Sequence, residues 1–149
     1  SFDEFIESGK TSELTAPEDR YGPFARTAVL AKDYLNASRL RRVVSNAADE
    51  ILTKYDGLVA PTCPEVAPCI DQQIRGSFRG SGEDIMGALG NLAGLPAISV
   101  PSGLSCTGLP TGIQFMGRAY EDNKVIALAS AYQSLTNWHK DHPPELLQG

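Results

Sequence analysis

Apolar positions recur at helical spacing between residues 24 and 52, then give way to short runs bounded by proline and glycine. Residues 1–20 are polar, rich in Asp and Glu and without a sustained period, and read as a lead-in or linker. After a Tyr21-Gly22-Pro23 turn, Phe24, Ala28, Ala31 and Leu35 share one face of a helix. A second helix is expected directly after it, because Ala37, Leu40, Val43, Val44, Ala47, Ile51 and Leu52 keep the helical period while Arg39, Arg41, Arg42, Asp49 and Glu50 take the other faces. Gly57 suits a left-handed cap at its end. Residues 58–60 then form a short buried strand, stopped by Pro61 and Pro64.

Residues 65–82 hold Pro68, Gly76, Gly80 and Gly82 with little period, a loop long enough to suggest function. Residues 83–92 are weakly helical. The apolar run 97–100 lies between Pro96 and Pro101 and suits a strand covered on both faces. Residues 111–116 alternate, with Ile113 and Phe115 on one face and Gln114 and Met116 on the other. Val125, Leu128, Ala129, Tyr132 and Leu135 trace a final helix with Asp122 as its N-cap, and Pro143-Pro144 closes the structured part. The expected organisation is therefore a lead-in at 1–20, a folded segment at 21–142 and a tail at 143–149.

Helices alternating with short apolar strands predict an α/β architecture. Three strands are too few for a sheet with both faces covered, so an apolar seam along 58–60 or 97–100 is expected, closed by other polypeptide or by a second copy in a homo-oligomer. At 149 residues the chain is the size of one domain. A net charge of -5 argues against direct nucleic-acid binding, and no stretch is apolar enough to cross a membrane. The chain opens on Ser1, which fits a piece of a longer polypeptide or a processed chain.

Cys63, Cys69 and Cys106 form no Cys-x2-Cys pair, and His139 and His142 are the only histidines, so no metal or other cofactor is expected. Unpaired thiols point to the cytoplasm, with each cysteine read as a small buried hydrophobe. The run at 39–42 reads as a solvated basic helix face. Residues 103–108 resemble a Gly-x-Ser-x-Gly elbow with one residue too many, linking two strands instead of a strand and a helix; Ser105 is read as a hairpin-loop serine.

The longest specific pattern is Asn91-Leu-Ala-Gly-Leu-Pro-Ala-Ile-Ser-Val-Pro101, followed by Gly108-Leu-Pro-Thr-Gly-Ile-Gln114. It resembles the C-terminal part of the amidase signature family, serine amidohydrolases that cleave or transfer carboxamide groups. Asp56-Gly-Leu-Val-Ala-Pro-Thr-Cys-Pro64 resembles the same family, in which such a strand ends beside the substrate cavity. The resemblance implies part of a mixed, twisted sheet flanked by helices. It also implies a catalytic lysine, a bridging serine and a nucleophilic serine in a Gly/Ser-rich stretch, all in the family's N-terminal half. This chain has no Ser-Ser dipeptide, so no catalytic residue is assigned here. The expected partners are an N-terminal amidase portion carrying the Lys-Ser-Ser triad and a small amide substrate.

Three residues are candidate substrate contacts. The resemblance gives Asp84 the position of an aspartate that, in the A subunits of glutamyl-tRNA amidotransferases, meets the amine of glutamine; otherwise Asp84 is an acid favoured by a helix start. Thr62 ends a strand aimed at the pocket, and Asn91 could fix a loop through backbone hydrogen bonds. These groups, with the 91–96 turn, are expected to converge on one end of the sheet. The expected function is the C-terminal segment of a hydrolase acting on carboxamide C–N bonds through an acyl-serine, supplying strands and pocket wall. The alternatives are the A subunit of a glutamyl-tRNA amidotransferase, disfavoured because no arginine at 20–26 matches cleanly, and a noncatalytic amidase-derived binding domain.

Overall fold

A computed structural model describes residues 2–15, 20, 28–71 and 85–142. The chain forms two units, residues 1–40 and 41–149. In the first, helix α1 (Asp3–Glu7) leads through Gly9, left-handed at φ 75°, into a 3-10 turn (Lys10–Glu13). Helix α2 (Ala31–Leu52) is unbroken. Two helices were expected here, but no Gly or Pro lies between residues 31 and 52 to stop the first, so Ala31 and Leu35 belong to the same helix as Leu52.

The second unit is built on strands β1 (Leu58–Pro61), β2 (Ala97–Leu104) and β3 (Pro110–Met116). They form an antiparallel sheet in the order β1-β3-β2, flanked by α3 (Ile85–Ala93) and α4 (Asp122–Leu135). Register pairs Ile98 with Phe115 and Val100 with Ile113, so these side chains share one face as their alternation predicts. Val100 and Phe115 pack there with Val125 and Ala129 of α4, and Phe115 meets Tyr132 at a ring separation of 5.8 Å. Each large side chain so buried is worth about 1.5–3 kcal/mol, and this cluster is the main core.

Met116, on the opposite face, is buried beside α3. A Cβ on Gly90 would lie 2.6 Å from the Met116 Cε, so the terminal methyl of Met116 occupies the space that glycine leaves open. Gly94, at φ 73°, ends α3 with its N–H and that of Leu95 both donating to the Gly90 carbonyl. Arg41 closes the same end by donating Nε to the Leu92 carbonyl at 2.7 Å. One member of the basic run is thereby a helix-end ligand.

Asp49 of α2 accepts a fork from Arg118, with Nε and Nη2 at 2.5 and 3.0 Å from its two oxygens. The guanidinium holds the Asp49 carboxyl below the ordinary carboxylate range, and Asp49 in turn raises Arg118. At the start of α4, Lys124 pairs with Glu121 at 2.8 Å.

Several expectations need correction. Gly57 is not left-handed; its smallness admits Leu128 Cδ1 and the Met116 carbonyl, which would stand 2.8 and 3.1 Å from a Cβ there. Asp122 is the first residue of α4, whose N-cap is Glu121 with no side-chain capping bond. The central strand β3 is buried on both faces at Gln114, Phe115 and Met116, whereas the outer strands β1 and β2 each leave one face exposed. Val59 is 57% exposed, while on β2 Val100 is buried and Ala97 and Ser99 are exposed. Exposed apolar side chains therefore remain on the sheet at Val59 of β1 and Leu104 of β2, and on helix α2 at Val43 and Ile51, 64% and 47% exposed. All three cysteines are exposed thiols, not buried hydrophobes, because each falls in a connection outside the strands and helices.

Candidate functional site

Just past the end of β1, the Thr62 N–H donates to the Gly112 carbonyl at 2.8 Å. The chain then leaves the sheet along residues 62–67 and runs past the β2–β3 hairpin. That hairpin closes through Ser105 N–H to the Leu109 carbonyl at 2.8 Å and turns on Gly108 at φ 80°. Between the two segments lies a cleft of about 450 Å³, walled by residues 62–67 on one side and by Ser105, Pro110, Thr111 and Gly112 on the other.

The hydroxyls around this cleft are largely committed to the protein. Thr111 donates to the Gly103 carbonyl at 3.0 Å and accepts from Ser102 at 3.2 Å. Ser102 is the extra residue of a β-bulge between Pro101 and Gly103. Ser105 Oγ accepts the N–H groups of Thr107 and Leu109, which leaves its own proton for Thr107 Oγ1 at 2.8 Å. Ser105 is thus a hairpin serine, as its two flanking strands imply, with no activating base bonded to it among the described residues.

Thr62 differs. Its Oγ1 lies 2.5 Å from Ser99 Oγ, over Gly112, where a Cβ would come within 2.8 Å of Thr62 Oγ1. One hydroxyl donates to the other, and the second proton of the pair has no partner among the described residues. Gln114 supports the same end by donating Nε2 to the Pro61 carbonyl at 3.1 Å.

Of the other candidates, Asn91 sits exposed in α3, and Asp84 lies outside the described residues. The expected convergence of Thr62 with the 91–96 turn is not met. Thr62 pairs with Gly112, whereas Pro96 accepts from the Gly117 N–H at 3.0 Å. Five positions of extended chain separate those two glycines, about 17 Å at strand rise. Ser99 and Glu65 escaped the sequence reading. Ser99 interrupts an apolar run, and its register with Gln114 on the polar sheet face was the available signal.

The family model described as Amidase matches residues 2–126. The chain belongs to the amidase family. Within it, the chain is 38% identical over 112 residues to the A subunit of the Desulforudis audaxviator glutamyl-tRNA(Gln) amidotransferase, and 36% identical over 110 residues to that of Legionella pneumophila strain Corby. It covers 23% of either relative's length, while the matched part is 74–75% of this chain. Among solved structures it resembles the A subunit of the Thermotoga maritima glutamyl-tRNA(Gln) amidotransferase, with TM-score 0.54 and 32% identity over 84% of this chain and 25% of that one. An amidase crystal structure shares the fold at TM-score 0.75 and 23% identity, covering 91% of this chain and 32% of that one. The three-stranded sheet with α3 and α4 is thus one part of the larger mixed α/β fold of amidases.

No group of His, Cys, Asp and Glu among the described residues is arranged to hold a metal, and no described helix is long and apolar enough to cross a membrane.

Proposed function

We propose that this chain is the C-terminal segment of an amidase that hydrolyses carboxamide C–N bonds through an acyl-serine intermediate. The observation that carries the reading is the family match over residues 2–126 in a chain with no Ser-Ser dipeptide. The Lys-Ser-Ser triad would come from preceding polypeptide. There a serine oxygen attacks the amide carbonyl, the C–N bond breaks as the amine leaves with a proton, and water then frees the acid. This segment contributes strands and a pocket wall. The exposed apolar residues Val59, Val43 and Ile51 are the surface that the N-terminal portion would cover, in keeping with the 23% coverage of the relatives. Asp84, Thr62 and Asn91 are our candidate substrate contacts, and the exposed unpaired thiols favour the cytoplasm.

The experiment compares this chain with the longer polypeptide read upstream of Ser1, on simple aliphatic and aromatic amides. The chain alone should be inactive. The longer form should be active, and with hydroxylamine present it should yield hydroxamate in a fixed ratio to acid for different leaving groups, the mark of a common acyl-enzyme. Turnover by the isolated chain that vanishes in Ser105→Ala would sink the reading.

The relatives' names favour one second reading, the ammonia-releasing component of a glutamyl-tRNA amidotransferase. Glutamine-dependent ammonia release that rises on adding partner proteins would select it over a plain amidase.

A further inference from the structure

We propose that the cleft between residues 62–67 and the β2–β3 hairpin is a binding site for a small molecule that joins an apolar body to a cationic or N–H-donating nitrogen. Glu65 would accept from that nitrogen, with the Thr62–Ser99 hydroxyl pair beside it.

Hydrogen-bond capacity selects this ligand class. Ser105 has spent its proton and both lone pairs on Thr107 and Leu109, and Thr111 has spent its proton on the Gly103 carbonyl while accepting from Ser102. Of the described lining side chains, the Glu65 carboxylate is the strongest acceptor left, and Thr62 shares one free hydroxyl proton with Ser99 behind it. Glu65 is exposed and is the only charged side chain among the described lining residues. None of these described residues is arginine or lysine, so the one charge on the described wall is matched by a cationic nitrogen.

The rest of the wall is apolar or backbone. Pro64, Val66 and Pro110 offer contact area, and Gly112 leaves room beside Thr62. At about 450 Å³ the cleft is in the size range of small-molecule sites. A few polar groups against an apolar wall are the composition of sites that orient a small ligand.

The test is amide NMR of the 149-residue chain titrated with n-propylammonium, propionamide and propionate at one ionic strength. Residues 62–67 and 105–112 should shift with saturation, most tightly for propylammonium, then propionamide, and least for propionate. For a solvent-exposed carboxylate the ammonium preference should be about threefold over the amide. It should fall to about onefold in Glu65→Gln, persist in Glu65→Asp and shrink in high salt. Equal or stronger shifts with propionate, shifts scattered over the surface, or an unchanged preference in Glu65→Gln would each overturn the assignment. Glu65 is exposed, and unchanged resonances outside the cleft would verify that the variants fold. This binding needs no amide chemistry. A chain that bound propylammonium here yet never supported hydrolysis would keep the site and lose the amidase reading.

Discussion

Thr62 and Ser99 bring their hydroxyls to 2.5 Å across the end of the sheet, and Gly112 between them is what permits it. Because a Cβ on residue 112 would meet Thr62 Oγ1 at 2.8 Å, Gly112→Ala should push residue 62 outward and cost roughly 1–3 kcal/mol, as overpacking does. Urea unfolding measures this. Adding Thr62→Ala should recover part of the loss, since the two positions share the clash; strict additivity would show that the close approach is not the cause.

The Asp49–Arg118 fork makes a pH prediction. Arg118 lowers the Asp49 pKa, so the pair contributes fully above the ordinary carboxylate value and loses its contribution as pH falls through the lowered one. The difference in urea midpoint between this protein and Asp49→Asn should be flat above about pH 5 and close below about pH 4. Both side chains are nearly half exposed, at 40% and 46%, so the difference should be small and should shrink further in molar salt. A difference that grew on acidification would contradict this sign.

Met116, 1% exposed, fills the space left by Gly90. Met116→Ala should cost about 2–5 kcal/mol, whereas Met116→Leu should cost less than about 1.5 kcal/mol because volume is kept. Denaturant unfolding of the two variants side by side would test whether packing at this contact, or only its hydrophobicity, matters.

Gly103 combines φ 122° with the indole of Trp138, 3.5 Å from where its Cβ would be. An alanine there has to hold a backbone conformation that L-residues disfavour, costing about 1–3 kcal/mol. Trp138 is the sole tryptophan, so Gly103→Ala should also shift intrinsic emission. An unmoved spectrum together with unchanged stability would remove the strain argument.

What the residues disclosed in advance depended on how local the cause was. Both strands of the hairpin, α3 and α4 were legible because their periods are set by near neighbours, and Ile113, Phe115, Gln114 and Met116 took the faces their alternation assigned. Gly57 was misread because its constraint comes from Leu128, 71 positions away, and not from a turn of its own. The one-sided cover of β1 and β2 was misjudged because an apolar run cannot say whether one layer or two will pack on it. Thr62 was found at the cleft through its place after a strand. Glu65 was missed because a lone surface carboxylate carries no periodic or motif signal until the cleft around it is seen.

The strand order β1-β3-β2 has a consequence for how the sheet comes together. Leu104 and Pro110, six positions apart, meet across a tight hairpin, whereas Pro61 and Ile113 are 52 positions apart and β1 pairs with no other strand among the described residues. Closing the longer loop costs roughly 2 kcal/mol more chain entropy than closing the hairpin, and four register pairs are the return on it. The hairpin should therefore assemble early and β1 zip onto it last. In the native protein β1 should also be the first strand to let go, its amides exchanging with solvent through openings that leave β2 and β3 joined.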